Sequence, residues 1–334
     1  AGLTASVLAT QEGQSVILLE KMPFVGGNSL RAEGGMNAAD TKVEAELGIT
    51  DSTVDNFVED TLRLGHDLAD PELVRTLAEN SAEAVDWLYS IDAPLPEVVA
   101  TGGTSHKYLH KPEGGLPVGE YLVEKLKVQT EALGVDVRVN TKATEILMED
   151  GQAVGVKAED AEHNYTIHAK SVVLTTGGFG ANNDMIASIR PELDGFITTN
   201  APGIQGQGIQ MAQAVGAATV DLEQIQLHPT VHVEGTNAVL ITEGLRGDGA
   251  ILVNQEGKRF YDLMRYAYWK GNGYGAADTK VMKDAIETRN NYKYPYYEGA
   301  NPISGASGVV GDLSNEKNWF LRFWPSDEVG IGPK

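Results

Sequence analysis

The stretch from Gln14 to Ser29 decides the fold; it reads Gln-Ser-Val-Ile-Leu-Leu-Glu-Lys-Met-Pro-Phe-Val-Gly-Gly-Asn-Ser. Its first half is a run of β-branched and aliphatic residues that ends in an acid, Glu20, which is typical of a buried parallel strand. Its second half holds the pair Gly26-Gly27. Glycine tolerates positive φ and has no Cβ, so backbone N–H groups there can face a phosphate or a flat ring. The stretch therefore predicts a strand followed by a loop that approaches a ligand closely.

The residues before this stretch extend the pattern toward the N-terminus. Residues 1–10 have the apolar spacing of a helix. Helix, strand and terminal acid form the second half of a dinucleotide-binding βαβ unit, in which a G-x-G-x-x-G turn precedes the acid by about 20 residues. Gly2 has that spacing from Glu20, so we interpret Ala1-Gly2 as the end of the turn. The first strand and first two glycines are then expected to precede Ala1, although the half-motif alone fits any βαβ protein.

A second glycine cluster follows at Ala32-Glu-Gly-Gly-Met-Asn-Ala-Ala39. Gly34-Gly35 would allow a tricyclic ring to lie against the main chain. Asn28 and Ser29 would add short hydrogen-bond donors beside a pyrophosphate. The two clusters together predict an extended ligand with both a phosphate and a ring.

The sequence further along alternates helical and strand patterns. Residues 61–87 read as helices, with Asp70-Pro71 as a helix start. Residues 135–139 and 171–175 read as strands, and the second runs into Thr176-Gly177-Gly178. These elements extend the βαβ pattern of the N-terminal residues along the chain.

Composition excludes several functional classes. The 334 residues carry 47 Asp+Glu against 26 Lys+Arg, a net charge of −21, and no cysteine. That charge argues against a nucleic-acid partner and against docking on anionic lipid. Without Cys the chain has no disulfide framework and no thiolate zinc site, and we expect no metal. No apolar run approaches the roughly 18 residues of a membrane span, so we expect no transmembrane segment.

The charge changes abruptly near Asp262. Residues 1–262 hold 17 Lys+Arg and 39 Asp+Glu, whereas residues 263–334 hold 9 and 8. Eight of the 12 tyrosines and three of the four tryptophans lie at or after Tyr261. We interpret the change as a domain boundary or as a point where this sequence is not continuous with the natural chain. An ordinary Tyr-rich subdomain would also explain it.

Taken together, these motifs resemble the FAD-dependent fumarate reductase family, which includes flavocytochrome fumarate reductases, urocanate and related enoate reductases and, more distantly, 3-ketosteroid dehydrogenases. The resemblance covers residues 1–262. It implies an α/β fold, with a Rossmann-like FAD-binding domain, an inserted α+β capping domain, and an N-terminal strand and C-terminal FAD-domain segment outside this sequence. Residues 1–222 would be the FAD-binding domain, 223–262 the start of the substrate capping domain, and 263–334 an unassigned aromatic-rich segment.

The resemblance implies FAD as the cofactor and assigns it a set of binding residues. These lie in the glycine-rich loops and at strand ends: Gly2, Glu20, Lys21, Gly26, Gly27, Asn28, Ser29, Gly34, Gly35, Met36, Thr176, Gly177, Gly178 and Asn200. Gly206-Gln207-Gly208 departs from the family, which usually has Asp in the middle. We expect this departure to change how the cofactor or the helix at 209–215 is held.

A second set of residues resembles the family's substrate region. It implies that His228 and Thr242 bind a substrate carboxylate, while Glu243 and Arg246 deliver a proton. The family's proton-donating Arg has its only local candidate in Arg265, two residues short of the family spacing. The implied reaction is hydride transfer from flavin N5 to the β-carbon of an α,β-unsaturated carboxylate, followed by protonation of the α-carbon. The alternatives are a structural histidine and a structural Glu–Arg ion pair, since residues three apart share a helix face.

The resemblance stops after Asp262. No histidine follows His232, so the family's second substrate histidine is absent from this sequence, as is its late arginine-rich motif. Two other functions therefore stay open: a flavin-binding subunit or fragment without enoate turnover, and a ketosteroid-dehydrogenase-like enzyme with a neutral substrate. The expected partners are a small unsaturated carboxylate and an external electron donor, either a reduced flavin, a quinol or a cytochrome. A location outside the cytoplasm is slightly favoured.

Overall fold

The computed structural model describes residues 1–100, 104–227, 231–234, 237–240, 251–254, 259–261 and 319–322. Its α-helices are α1 Gly2–Gln11, α2 Lys42–Glu46, α3 Val54–Leu64, α4 Pro71–Glu79, α5 Ser81–Ser90, α6 Val118–Ala132, α7 Asn183–Ile189 and α8 Gln207–Ala214. Its strands are β1 Ile17–Leu19, β2 Met36–Asn37, β3 Glu97–Ala100, β4 Lys107–Lys111, β5 Asp136–Arg138, β6 Lys142–Glu149, β7 Gln152–Glu159, β8 Asn164–His168, β9 Val231–Glu234, β10 Asn237–Leu240, β11 Ile251–Asn254, β12 Arg259–Tyr261 and β13 Trp319–Arg322. The predicted α/β class is confirmed.

The N-terminal unit has the parallel pairing that the sequence predicts. Strand β1 runs parallel to β5, with Ile17 opposite Asp136 and Leu19 opposite Arg138. Helices α1 and α6 pack together beside this pair. Their shared core consists of aliphatic side chains: Leu3, Val7, Leu88, Ile91, Ala93, Leu95, Val118, Val123 and Leu126. This core fixes the end of β1 relative to the start of both helices.

Strand β1 is shorter and less buried than the sequence predicts. It covers three residues instead of the seven from Gln14 to Glu20, and Ile17 is 42% exposed. A strand becomes fully buried only when both of its edges and both of its faces are covered. In the described part of the chain β5 is the only strand paired with β1, which explains the exposure.

The strand predicted at residues 171–175 does not form. Val173 is 69% exposed, and none of the described strands pairs with this segment. Backbone N–H and C=O groups need a neighbouring strand to form a ladder, and the β-branched composition cannot supply one. The segment nevertheless returns to the N-terminal unit, because a Cβ added to Gly2 would lie 2.8 Å from Thr175 Oγ1.

Helices α2 to α5, residues 42–90, form a helical layer. The helices predicted at residues 61–87 are confirmed as the end of α3, α4 and most of α5. Helix α4 begins where expected, with the Asp70 side chain accepting from the N–H of Glu72 and Pro71 at the first helical position. Helix α2 begins with a capping box between Thr41 and Glu44. Each cap satisfies backbone N–H groups that a helix end leaves unpaired.

Residues 36–168 also form two antiparallel sheets. One has the order β2-β4-β3, and its Tyr108 stacks on Phe57 of α3 with ring centroids 5.2 Å apart. The other is the meander β6-β7-β8, which follows β5 directly. The first sheet thereby joins the glycine cluster at 34–35 to the helical layer.

The described strands after residue 227 form two further antiparallel groups. Strands β9 and β10 make a hairpin in which Val231 lies opposite Leu240. Strands β12, β11 and β13 form a three-stranded sheet in that order. Val231 and Ala238 are buried together with Ile197, which attaches the hairpin to the preceding loop.

Candidate functional site

A long cleft opens between the start of α1, the end of β1 and the N-terminal ends of α6 and α8. Its volume is about 890 Å³, within the roughly 300–1,000 Å³ typical of ligand sites. Its walls combine glycine backbone with aliphatic side chains of α1, β1 and α6. The cleft therefore has the size and lining for an extended ligand that is partly flat and apolar.

The first glycine pair forms a tight turn in the loop that follows β1. Gly26 and Gly27 have φ values of 121° and 50°, which side-chain-bearing residues rarely adopt. A Cβ added to Gly26 would lie 2.6 Å from Leu30 Cγ. The conformation of the turn therefore requires glycine. The turn leads into a 3₁₀ helix at Gly27–Arg31, and both glycines line the cleft.

Helix α6 reaches this loop through backbone contact. Gly119 N–H donates to the carbonyl oxygen of Ala32 over 3.0 Å. A Cβ added to Gly119 would lie only 1.9 Å from the carbonyl oxygen of Ser29. Glycine is therefore required here for a close approach, which sets the width of the cleft on this side.

Two further glycine motifs interlock on the opposite wall. Gly206 N–H donates to the carbonyl oxygen of Gly178 over 3.0 Å. A Cβ added to Gly208 would lie 1.9 Å from Thr176 Oγ1. Gly177 has a φ of 71°, and the start of α8 thus rests directly on the Thr-Gly-Gly turn.

Asn28 ties the two walls together. Its side-chain amide donates to Asn200 Oδ1 over 2.6 Å, and its side-chain oxygen accepts from Ala201 N–H over 2.8 Å. Asn200 is only 5% exposed. Asn28 therefore holds the 200–201 loop against the first glycine turn, besides lining the cleft.

The charged side chains that line the cleft are Glu20, Lys21 and Lys142. Glu20 Oε1 accepts from the backbone N–H of Met22 over 2.8 Å. Lys21 Nζ donates to Gln207 Oε1 over 2.7 Å. Burial lowers the pKa of the Lys21 ammonium, an effect that the nearby Glu20 carboxylate opposes and that Lys142 reinforces.

These groups fit a dinucleotide such as FAD. The glycine turns at 26–27 and 176–177 bring backbone close to a ligand, as a diphosphate and a flat ring require. Glu20 occupies the end of β1, where an acid can accept hydrogen bonds from ribose hydroxyls. Lys21 supplies a cation for an anionic ligand.

Most of the expected cofactor residues line this one cleft. They come from four separate segments: Gly2, Glu20, Lys21, Gly26, Gly27, Asn28, Ser29, Thr176 and Gly177. Gly34, Gly35, Met36, Gly178 and Asn200 are outside its lining. Gly35 instead packs on β4, where an added Cβ would lie 2.5 Å from the carbonyl oxygen of His110. A cofactor role for each of these fourteen residues stays a prediction, including the nine that line the cleft.

Other lining residues were not predicted from the sequence. They include Gly119 of α6, Lys142 of β6, Ile204 and Gln207. Gln207 alone had a signal, its departure from the family pattern. A lysine at the start of a strand or a glycine inside a helix carries no local mark of a binding site, because only the tertiary fold brings it to the cleft.

The residues expected on the substrate side, His228, Thr242, Glu243, Arg246 and Arg265, lie outside the described residues. The neighbouring hairpin is described. Because Val231 pairs with Leu240, the chain enters and leaves the hairpin at the same end. That end packs on Ile197, three residues before Asn200.

Comparisons with known proteins support this interpretation of the cleft. The family described as "FAD binding domain" matches residues 1–297. An NADH:fumarate oxidoreductase of Klebsiella pneumoniae (strain 342) is 43% identical over 265 residues, which are 79% of this chain and 28% of the relative. A fumarate reductase (cytochrome) of Shewanella frigidimarina is also 43% identical, over 262 residues, 78% of this chain and 45% of the relative. The predicted resemblance is confirmed.

A solved structure shares the fold. The open conformation of a flavocytochrome c3 fumarate reductase matches with a TM-score of 0.72 and 34% identity, covering 87% of this chain and 53% of that one. The chain thus spans less than half the length of the two relatives it matches by sequence. In the ranges that the structure describes, no helix combines the length and the apolar character of a bilayer crossing.

Proposed function

The chain belongs to the FAD binding domain family, and from this premise we propose that it forms the FAD-holding part of an oxidoreductase that reduces the C=C bond of an α,β-unsaturated carboxylate. One observation carries the proposal: segments from residues 1–32, 118–143, 174–177 and 201–211 converge on a single cleft with close-packed glycines, an acid and lysines. The fumarate reductases named among its relatives support the substrate class.

The cofactor of the proposed enzyme is FAD. The turns at Gly26-Gly27 and Thr176-Gly177 would hold its diphosphate and ring against the backbone, and Glu20 would accept from its ribose. Bound FAD supplies the hydride. The chain's own residues position the cofactor and exclude water from the cleft.

His228 and Thr242 are the proposed ligands of the substrate carboxylate. They lie three residues before and two residues after the described hairpin β9–β10, whose paired ends are Val231 and Leu240. Three and two residues therefore connect His228 and Thr242 to the paired ends of the hairpin. Since each residue spans at most about 3.6 Å, both can reach a common site. A cationic or hydroxyl donor at the carboxylate would stabilise negative charge that develops during reduction.

Proton delivery is proposed for Glu243 and Arg246, with Arg265 as the donor to the substrate α-carbon. The balance of the reaction needs one hydride and one proton per double bond. The two electrons must come from an external donor, for which a reduced flavin, a quinol and a cytochrome are the proposed classes. The names of the relatives include both an NADH-linked and a cytochrome-linked reductase.

The proposed domain organisation follows the sequence boundaries. Residues 1–222 form the FAD-binding domain, residues 223–262 begin the substrate capping domain, and residues 263–334 are unassigned. The cleft residues all fall in the first of these. A location outside the cytoplasm is part of the proposal, and a chain without cysteine is compatible with it.

A flavin-binding part without its own enoate turnover is the second candidate. The observation that favours it is length, because the chain covers 28% and 45% of the two relatives. In that case FAD binding would be intact, while substrate ligands would come from segments beyond this sequence.

An assay of the purified chain separates the two. The leading proposal predicts a bound flavin absorbance band and oxidation of a reduced dye by fumarate, urocanate or a related acid, both measured by absorbance. The oxidation should be lost in His228→Ala while the flavin band stays. A flavin band without turnover of any acid would favour the second candidate, and a chain that binds no flavin would contradict both.

A further inference from the structure

The cleft carries a charge opposite to that of the protein. The chain has a net charge of −21, yet the charged side chains lining the cleft are one carboxylate, Glu20, and two ammonium groups, Lys21 and Lys142. The lining thus has an excess of one positive charge. An anionic protein that binds an anionic ligand needs such a local excess, because the surrounding field is repulsive.

Each charged group has a defined partner. Lys142 Nζ forms an ion pair with Glu159 over 3.2 Å, outside the cleft lining. One oxygen of Glu20 is held by the Met22 N–H. Lys21 differs, because among the described residues its hydrogen-bond partner is the neutral amide of Gln207 and no carboxylate forms an ion pair with it. The hydrogen bond to Gln207 therefore fixes the position of Lys21 without placing a carboxylate against its ammonium group.

Gln207 occupies a position that the fold holds tightly. It is the first residue of α8, after Gly206 with a φ of 76°. Gly208 on its other side is in close contact with Thr176. The first turn of α8 contains no acidic residue, although an acid there would be favoured by the helix dipole. A neutral residue at 207 thus leaves both Lys21 and the helix N-terminus available to a ligand anion.

We propose that Gln207 is a positioning residue for cofactor binding. Gln207 holds Lys21 in the cleft without neutralising it, so that the Lys21 charge attracts the diphosphate of FAD. The diphosphate is the anionic part of FAD. The inference rests on FAD binding in this cleft and is independent of enoate turnover. Residue 207 is also where the sequence departs from the family pattern.

The test compares two substitutions of Gln207 with the wild-type chain. Gln207→Glu is isosteric and keeps an acceptor for Lys21, but it places a carboxylate against the Lys21 ammonium group. Gln207→Met stays neutral and removes the acceptor. FAD is removed from each purified full chain, and FAD affinity is measured by fluorescence titration at about 0.05 M and about 0.5 M salt.

We expect Gln207→Glu to bind FAD about tenfold more weakly at low salt, since one charge contact is worth roughly this factor. The deficit should shrink at high salt, because screening acts over roughly 10 Å at 0.1 M and only about 3 Å at 1 M. Gln207→Met should lose less than about threefold, since it preserves the charge. The thermal unfolding temperature of apo Gln207→Glu should equal or exceed that of wild type, because an acid is favourable at a helix start.

Three results would overturn the proposal. Equal FAD affinity of Gln207→Glu and wild type at low salt would show that the charge at 207 is irrelevant. An equal loss in Gln207→Met and Gln207→Glu would mean that the neutrality of residue 207 contributes nothing beyond the hydrogen bond to Lys21. A wild-type chain that binds no FAD would remove the premise, which is a different outcome from a failure of enoate turnover.

Discussion

The cofactor cleft and the helical layer of residues 42–90 are held together in different ways. Around the cleft, backbone meets backbone: Gly119 lies against Ser29, and Gly206 against Gly178. The helical layer is instead stabilised by buried side chains and helix caps, such as the Phe57–Tyr108 stack and the Thr41 capping box. Glycines, which have no side chain, thus shape the cleft, whereas large buried side chains stabilise the helical layer.

This difference separates binding from stability. A ligand that lies along backbone requires glycines whose replacement moves a loop, so changes there should act first on FAD affinity. A packed layer loses transfer free energy and gains a cavity when a side chain is truncated, so changes there should act on the free energy of unfolding.

The largest effect is expected for Phe57→Ala in the helical layer. Phe57 is 6% exposed and stacks on Tyr108. Its truncation should lower the free energy of unfolding by about 4 kcal/mol, as for other large buried aromatic side chains, measured by urea denaturation. FAD affinity of the folded protein should be unchanged, and a parallel loss of affinity would contradict the separation.

The next largest effect is expected for Gly119→Ala at the cleft. The new Cβ would meet the Ser29 carbonyl oxygen at 1.9 Å, so the 3₁₀ helix at Gly27–Arg31 must shift. We expect FAD to bind at least about tenfold more weakly, which corresponds to the roughly 1–3 kcal/mol that overpacking costs. Fluorescence titration with FAD checks this.

Gly48→Ala is the matched control in the helical layer. Gly48 has a φ of 73° and has open space around its Cβ position. Alanine there should lower the free energy of unfolding by about 1 kcal/mol through backbone strain alone. FAD affinity should stay at the wild-type value, and a loss equal to that of Gly119→Ala would show that any strained glycine weakens binding.

The smallest effect concerns pH and Asp60 of α3, which is 3% exposed. Burial by itself would raise the pKa of this carboxyl, but hydrogen bonds from Arg63 and Ser105 outweigh it and hold the pKa below its ordinary value. Asp60 therefore stabilises the fold above the unfolded pKa of about 3.9, and this contribution is lost as pH falls through the lower folded value.

Asp60→Asn should accordingly flatten the loss of stability on acidification. Thermal unfolding between about pH 2 and pH 5 should show a smaller decline for the variant than for wild type. An identical pH dependence of the two proteins would mean that the pKa of Asp60 is the same in the folded and unfolded states.

Local chemistry made much of the fold predictable. Asp70-Pro71 marked a helix start because a cap and a proline at the first position act within a few residues. The strand at 135–139 was also found, as β5. Pairing is not local, however: residues 171–175 have strand composition and no neighbour among the described strands, so composition alone predicted a strand that does not form.

The cleft shows the same limit at the level of the site. Glycine pairs such as Gly26-Gly27 could be assigned to a ligand from sequence, because positive φ and close approach are properties of the residue type. Lys142 and Gly119 could not, since their place in the cleft depends on packing between segments roughly 100 residues apart in the chain. The Lys21–Gln207 contact spans 186 positions and has no local signal except the unusual amide.

Hydrogen–deuterium exchange with and without FAD tests the central claim most directly, that FAD occupies the cleft and the helical layer only supports it. If FAD binds there, amide exchange should slow on FAD addition in residues 20–29, 175–178 and 201–207, while exchange in α3, α4 and α5 should stay unchanged. Absence of slowing in the cleft segments, or equal slowing in the helical layer, would contradict it.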